Sequence, residues 1–244
     1  MTPAVKGVQQ LSCTVQDLQE YIDWKLFYHI WNMKGKTPES DEARKQLRAD
    51  GEAMLVKLHD LNVLTPQAVW GIFPADSHGE TVTVYDETRQ NVLEQIVFSR
   101  TENGSSLADF LAEKEDHLGM FCVSVKGADT YAAADEYEEL LCKTLAECLA
   151  EAFAEKLHQQ IRIRDWGYAA DEKWTLDDLF AGKPQGIRAA PGYPVCPDHA
   201  LKQPLFRLLQ VEEKIEASLT ETNMIRPNAS VCAYMFASEN SFYF

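Results

Sequence analysis

The sequence has no apolar run that approaches the roughly 20 residues needed by a membrane-spanning helix. Its first residues, MTPAVKGVQQLSC, also lack the apolar stretch of a secretory signal peptide. Basic residues are few: 23 Lys and Arg stand against 38 Asp and Glu, which gives a net charge of −15. This charge opposes binding to nucleic acid or to an anionic membrane surface, because both partners attract Lys and Arg. We therefore expect a cytoplasmic protein that binds neither.

Metal and nucleophile motifs are also missing. The six cysteines form no Cys-x-x-C pair, which favours buried small side chains over a disulfide framework. Cys196 and His199 have half of a zinc-site spacing, but no second pair follows, so no metal site is predicted. The chain contains no G-x-S-x-G elbow, no H-E-x-x-H and no P-loop, and its six histidines show no catalytic spacing. No catalytic residue is predicted on the chain itself.

Hydrophobic periodicity predicts helices at both ends of a strand-containing middle. The predicted helices are 14–22, a second one that Ser40 opens, 134–164, a short one capped by Thr175, and one from about Pro204 to Ile215. The predicted strands are 68–73, ended by Pro74, then 81–85, 121–125 and 231–235, whereas 86–100 fit neither type. This order favours an α+β fold over a parallel βαβ array. No repeat or linker is evident, so residues 1–244 are expected to form a single domain.

The most informative segment is 186–199, which reads GIRAAPGYPVCPDH. Its prolines at 191, 194 and 197 recur every three residues, which predicts an extended polyproline II strand that joins neither a helix nor a central sheet strand. Gly192 permits the close approach of another group, and Arg188 offers a guanidinium suited to a carboxylate or a phosphate. For an arbitrary proline-rich segment, a rigid surface loop without a binding role would be the preferred interpretation.

The segment resembles the signature of the activation domain of cobalamin-dependent methionine synthase, which is Arg, three residues, Gly-Tyr-Pro, then Cys-Pro-Asp/Glu-His. Further blocks match that family in order and approximate spacing. They are Tyr21–Trp24, Trp31 to Pro38, Gly71–Asp76, Leu107–Phe110, Leu149–Glu155, Trp166–Tyr168, Leu219–Glu221 and Ser241–Tyr243. The resemblance runs from about residue 12 to the last residue. It implies a single C-shaped α+β domain with a bent antiparallel sheet flanked by helices, one of them the long helix at about 134–164.

The resemblance also implies a function. In that family the domain binds S-adenosylmethionine (AdoMet) and presents its methyl group to an oxidised cobalamin, which is restored with one electron from a flavodoxin-type donor. Asp23 matches the family residue that holds the AdoMet ammonium, and Arg188 matches the residue that holds the carboxylate. The backbone of 188–193 is expected to bind the adenine, and Glu151 and Tyr243 match positions that line the sulfonium. The candidate binding residues are Asp23, Glu151, Arg188, Ala190, Pro191, Gly192, Tyr193, Tyr243 and Phe244.

Departures from the family leave alternatives open. Nothing in the chain resembles the homocysteine, folate or cobalamin modules, so it is expected to act as a free-standing reactivation methyltransferase in methionine biosynthesis, on a separate cobalamin-binding methionine synthase chain. Residues 181–184 replace a segment that often carries a glutamate facing the sulfonium, and Phe244 stands where relatives often have a second tyrosine. A non-catalytic interaction subunit of a split methionine synthase or corrinoid methyltransferase system is therefore an alternative. An AdoMet-dependent methyltransferase with another acceptor is a third.

Overall fold

A seven-stranded antiparallel sheet organises the chain, which was analysed as a computed structural model that describes residues 3–33, 35 and 37–243. The strands are β1 (Val8–Ser12), β2 (Thr65–His78), β3 (Thr81–Tyr85), β4 (Val92–Val97), β5 (Asp116–Lys126), β6 (Ile187–Ala189), β7 (Ser218–Leu219), β8 (Ile225–Arg226) and β9 (Ser230–Phe236). The sheet has the order β4-β3-β2-β5-β9-β6, with β1 also paired to β2, while β7 and β8 form a separate hairpin. The predicted antiparallel sheet and α+β class are confirmed.

Seven α-helices flank the sheet in the described part of the chain. They are α1 (Val15–Gln19), α2 (Trp24–Ile30), α3 (Pro38–Asp60), α4 (Glu136–Gln160), α5 (Leu176–Phe180), α6 (Lys202–Leu209) and α7 (Val211–Ile215). The long helix predicted at 134–164 is confirmed as α4, which starts after its N-cap Asp135 and continues into a π-helical turn at Ile161–Asp165. None of the helices described is both long and apolar enough to cross a membrane.

The two faces of the sheet belong to different cores. Alternate residues of the central strand β5 point to opposite sides, as the pleat of a strand requires: Phe121 and Val123 pack with α1–α4, whereas Met120 and Cys122 pack with α6 and α7. All of these side chains are buried. The sheet is thus covered on both faces. The order of its strands ends in β4 on one side and in β6 on the other, and β6 lies at the start of the signature segment 186–199.

Local features correct several predicted boundaries. Helix α3 begins at Pro38 and not at Ser40, because Thr37 is the N-cap and Ser40 completes its capping box from the third helical position. Residues 86–100, left unassigned from the sequence, contain the edge strand β4, and β1 was not predicted. The single helix expected from Pro204 to Ile215 is divided at Gln210, which has a positive φ of 55°.

Strand β2 continues to His78 beyond its predicted end at Pro74. Residues 67–71 pair with β1 and residues 75–78 pair with β3, so Pro74 lies between the two partners on that edge of β2. The lack of a backbone N–H at Pro74 is tolerated there, because no neighbouring strand on that edge would accept a hydrogen bond from it. On its other edge β2 pairs with β5 through Pro74 without interruption.

Candidate functional site

The signature segment begins as an edge strand and then turns back on itself. Residues 187–189 form β6, in which Arg188 pairs with Met235 of β9. After Ala190 the backbone turns: the Gly192 N–H donates to the Cys196 carbonyl at 2.7 Å, and the Cys196 N–H donates to the Tyr193 carbonyl at 2.8 Å. Gly192 has a φ of 103°, which a polyproline II helix excludes. The predicted extended strand is therefore wrong over 190–196, where the prolines stabilise turns.

The close approach expected at Gly192 is confirmed, and the group that approaches is the imidazole of His199. A Cβ atom at Gly192 would lie 2.4 Å from the His199 Cε1 atom. Lys202 Nζ is 2.7 Å from His199 Nδ1, so the two side chains are hydrogen-bonded to each other. Lys202 is buried, and this burial lowers the pKa of its ammonium group.

The side chain of Arg188 is held by an acidic residue that was not among the predicted site residues. Its Nη1 atom lies 2.8 Å from Oε2 of Glu155 on α4, and the two side chains are 26% and 6% exposed. Glu151 stands one helical turn before Glu155, on the same side of α4. Burial raises the pKa of Glu151; the Arg188 guanidinium opposes this shift and the Glu155 carboxylate adds to it. The sequence does contain a signal that could have identified Glu155: it is an acidic residue four positions after Glu151, within the apolar stripe of α4.

The C-terminal residues close over the free edge of β6. The Tyr243 hydroxyl accepts a hydrogen bond from the Arg188 N–H at 3.1 Å and lies 3.2 Å from the Arg188 carbonyl, to which it donates. One hydroxyl therefore satisfies the main-chain groups that a further strand would otherwise pair. Phe242 packs edge-on against Phe110, with 5.6 Å between ring centroids. Phe244 lies outside the described residues.

Asp23 begins α2 and reaches the same region. Its Oδ1 atom accepts a hydrogen bond from the Lys25 N–H at 2.8 Å, which makes Asp23 the N-cap of the helix. Asp23 also lines a cavity of about 250 Å³ together with Glu151, Glu155, Arg188 and Tyr243. The residue thus has a capping role and faces the cavity as well.

Two further cavities adjoin this one. A cavity of about 310 Å³ lies between α4, β9 and the signature segment and is lined by Glu151, Arg188, Ala190, Tyr193 and Tyr243, among others. A cavity of about 450 Å³ extends from Glu151, Ala190, Pro191, Gly192 and Tyr193 to His199, Lys202 and the β8 region. Because Glu151 lines all three cavities, we call them together the Glu151 groove. Tyr193 stands at its rim with 60% of its surface exposed.

The structure thus brings together the sequence-predicted site residues that it describes. Asp23, Glu151, Arg188, Tyr193, Tyr243 and the backbone of 190–192 all line the groove, although they come from four separate parts of the chain. Sequence reasoning missed Glu155, Lys202 and the apolar wall provided by Val231 and Ala233 of β9. The groove combines carboxylates, one ion-paired guanidinium and apolar walls, which suits a ligand with charges of both signs and an apolar or aromatic part.

The described residues form neither a metal-binding cluster nor a disulfide. Within residues 3–33, 35 and 37–243, no group of three or more His, Cys, Asp or Glu side chains is placed to hold a metal ion. All six cysteines are free, and all but Cys13 are buried, as the scattered spacing predicted.

Comparison with known proteins identifies a family and a solved structure to which this chain is similar. The model of the family described as vitamin B12 dependent methionine synthase, activation domain, matches residues 14–244. A crystal structure of the MetH reactivation domain bound to AdoHcy is similar to the whole of this chain, with a TM-score of 0.91 and 36% sequence identity. This chain covers 82% of that one. Both matches agree with the resemblance carried by the signature segment.

Proposed function

The chain belongs to the activation-domain family of vitamin B12-dependent methionine synthase, and from that membership we propose that it binds AdoMet in the Glu151 groove and supports the reductive methylation of oxidised cobalamin on a separate protein. The observation that carries the proposal is the convergence of Asp23, Glu151 and Arg188 on one groove. The ligand AdoHcy in the similar MetH reactivation domain supports the choice of an adenosyl sulfur compound.

The donor set of the groove fits the charges of AdoMet, which are an ammonium, a carboxylate and a sulfonium. The capping bond of Asp23 uses Oδ1, and a carboxylate has further acceptor sites that suit an ammonium. The ion pair of Arg188 uses Nη1, and a guanidinium has five N–H donors, so it can also hold a carboxylate. Cavities of about 310 and 450 Å³ lie within the range usual for small-molecule sites.

In this proposal each residue has a defined role. Asp23 binds the ammonium, Arg188 binds the carboxylate, and the backbone of 188–193, including Ala190, Pro191 and Gly192, binds the adenine. Glu151 and Tyr243 lie beside the sulfonium. AdoMet, when bound, supplies a methyl group activated for transfer. The chain contributes orientation and the exclusion of water, while the nucleophile is the cobalt of the partner.

The partner follows from the same reasoning. Cobalamin is carried by a separate methionine synthase chain or another corrinoid protein, and it reaches the groove past the exposed Tyr193. The electron comes from a flavodoxin-type reductant that acts on the partner. The protein is thus a methyltransferase only together with that partner.

Isothermal titration calorimetry with AdoMet tests the binding step. We expect the protein to bind AdoMet, and we expect an Arg207→Ala variant to bind it equally, because Arg207 forms an exposed ion pair with Glu94 outside the groove. Methylation of reduced cobalamin on the partner, followed by its visible spectrum, tests the second step. Absence of AdoMet binding would overturn the proposal.

The alternative, a non-catalytic interaction subunit, is favoured by residues 181–184. Gly182 lines the cavity beside Asp23, and the ammonium of Lys183 lies 2.6 Å from an Asp178 oxygen. The segment therefore provides no carboxylate to the groove. AdoMet binding without any methylation of the partner's cobalamin would support this alternative.

A further inference from the structure

Glu155 is a buried carboxylate in the groove that the proposed function does not use. Only 4% of the residue is exposed, and it lies within the apolar face of α4. Burying a carboxylate is costly unless it is paired, and the pair that compensates for this cost is the one with Arg188 at 2.8 Å. Hydrophobic side chains would fill the same space at lower cost, so stability alone does not account for a glutamate here.

Two glutamates on one face of α4 compete for one guanidinium. Glu151 and Glu155 are separated by four residues, and Arg188 interacts electrostatically with both carboxylates. The ion pair is formed with Glu155. Among the described residues, no hydrogen bond or ion pair involves the carboxylate of Glu151, although it lines all three cavities of the groove.

We propose that Glu155 is a positioning residue: its ion pair holds the Arg188 guanidinium away from Glu151, so that the groove presents a guanidinium and a separate, unpaired carboxylate at the same time. This inference rests on the proposed function, because it assigns these two groups to the carboxylate and the cationic part of the ligand. Without Glu155, Arg188 turns to Glu151, and the two groups neutralise each other. The ligand then loses both contacts.

Calorimetric titration of Glu155→Gln tests the inference with two ligands. AdoMet carries the amino-acid part and the sulfonium, whereas 5′-methylthioadenosine retains the nucleoside and has neither charge. We expect the Glu155→Gln variant to bind AdoMet about tenfold more weakly and to bind methylthioadenosine with unchanged affinity. Glu139→Gln is the matched control on α4, since Glu139 is ion-paired to Lys143 on the exposed side of the helix. This control should bind both ligands as the wild type does.

A double-mutant cycle separates positioning from a direct contact. If Glu155 acts through Arg188, adding Glu155→Gln to Arg188→Gln changes the AdoMet affinity less than about twofold. The double variant also removes both charges of the pair and leaves no unpaired buried ion, which keeps the test available if Glu155→Gln alone fails to fold. A crystal structure of Glu155→Gln should place an Arg188 nitrogen within ion-pair distance of the Glu151 carboxylate.

The outcomes that overturn the inference differ from those that overturn the proposed function. Equal weakening of AdoMet and methylthioadenosine would show that Glu155 only supports the fold. Tighter AdoMet binding by Glu155→Gln would show that Glu155 competes with the ligand for Arg188. Either result contradicts the inference while leaving AdoMet binding by the wild type in place. No AdoMet binding by the wild type would contradict both.

Discussion

Arg188 connects the groove to the sheet through three different contacts. Its main chain pairs with β9, its main-chain N–H and carbonyl meet the Tyr243 hydroxyl, and its guanidinium meets Glu155. A side-chain substitution removes only the last of these. The position of the backbone therefore does not depend on the guanidinium, although removing it leaves the buried Glu155 carboxylate without its partner.

Arg188→Ala should weaken AdoMet binding by about 2 kcal/mol, or roughly 30-fold, because it leaves the ligand carboxylate without its charged partner. The value lies at the low end for such losses, since the Arg188 side chain is 26% exposed. Titration calorimetry measures the change, with the exposed Arg207→Ala as the control. An unchanged AdoMet affinity would contradict the assignment of Arg188.

Glu151 should make the groove prefer AdoMet to AdoHcy, which lacks the sulfonium charge. Replacing it by Gln should reduce that preference about fivefold, which corresponds to about 1 kcal/mol. Burial raises the pKa of Glu151 above its ordinary 4.5, so the carboxyl is protonated at a higher pH than a free glutamate. The wild-type preference should therefore decline as the pH falls through that raised pKa.

Calorimetric titrations with AdoMet and with AdoHcy, each repeated from pH 7.5 to pH 5, test this pH dependence. In Glu151→Gln the ratio of the two affinities should not change with pH over this range. If the ratio of the AdoMet and AdoHcy affinities changed with pH equally in the wild type and in Glu151→Gln, the group responsible would not be Glu151.

At the scale of elements, the loop after β6 depends on Gly192. Its positive φ and the adjacent His199 imidazole both exclude a side chain, and the imidazole is in turn hydrogen-bonded to Lys202 on α6. The turn is therefore connected to the helix that follows it. This connection holds the loop residues 190–193 along the groove.

Gly192→Ala should destabilise the protein by at least about 2 kcal/mol and weaken AdoMet binding, because the new methyl group displaces His199. Gly104→Ala is the matched control: Gly104 also has a positive φ, at 85°, but nothing lies within 4 Å of an added Cβ atom. It should cost about 1 kcal/mol and leave AdoMet binding unchanged. Urea unfolding and calorimetry measure both effects, and equal costs for the two variants would contradict a steric role of His199.

At the scale of the whole molecule, the central strands join the two cores. Neighbouring residues of β5 and β9 belong to opposite faces, as Ala233 and Tyr234 illustrate. Because both cores share the strands β5 and β9, unfolding of these strands in one core would expose the other core to water. We infer that residues 1–244 behave as one domain.

Urea unfolding should accordingly show a single transition. The buried tryptophans Trp70 and Trp166 report on the core formed with α1–α4, and hydrogen exchange of a peptide covering 202–215 reports on the core formed with α6 and α7. The two midpoints should coincide. Two separate midpoints would contradict the single-domain inference.

The elements whose signals are local could be predicted from the sequence alone. The capping boxes at Thr14 and Thr175, the apolar stripe of α4 and the alternation in β3, β5 and β9 all depend on residues within one or two turns of each other. For the same reason, the family could be identified from the signature segment and the ordered blocks around it. These blocks also gave the candidate residues, since a residue type at a given motif position can be read without knowing its neighbours in space.

Features that depend on partners distant in the chain follow only from the tertiary packing. Pro74 lies within a strand because β1 ends before it and β3 begins after it, and Gly192 lies in a turn because His199 packs against it. The pairing of Arg188 with Glu155, and not with Glu151, depends on where β6 is placed beside α4. These contacts depend on burial and on competition among groups that are far apart in the chain. A local sequence pattern cannot show which of two neighbouring carboxylates will pair with a guanidinium.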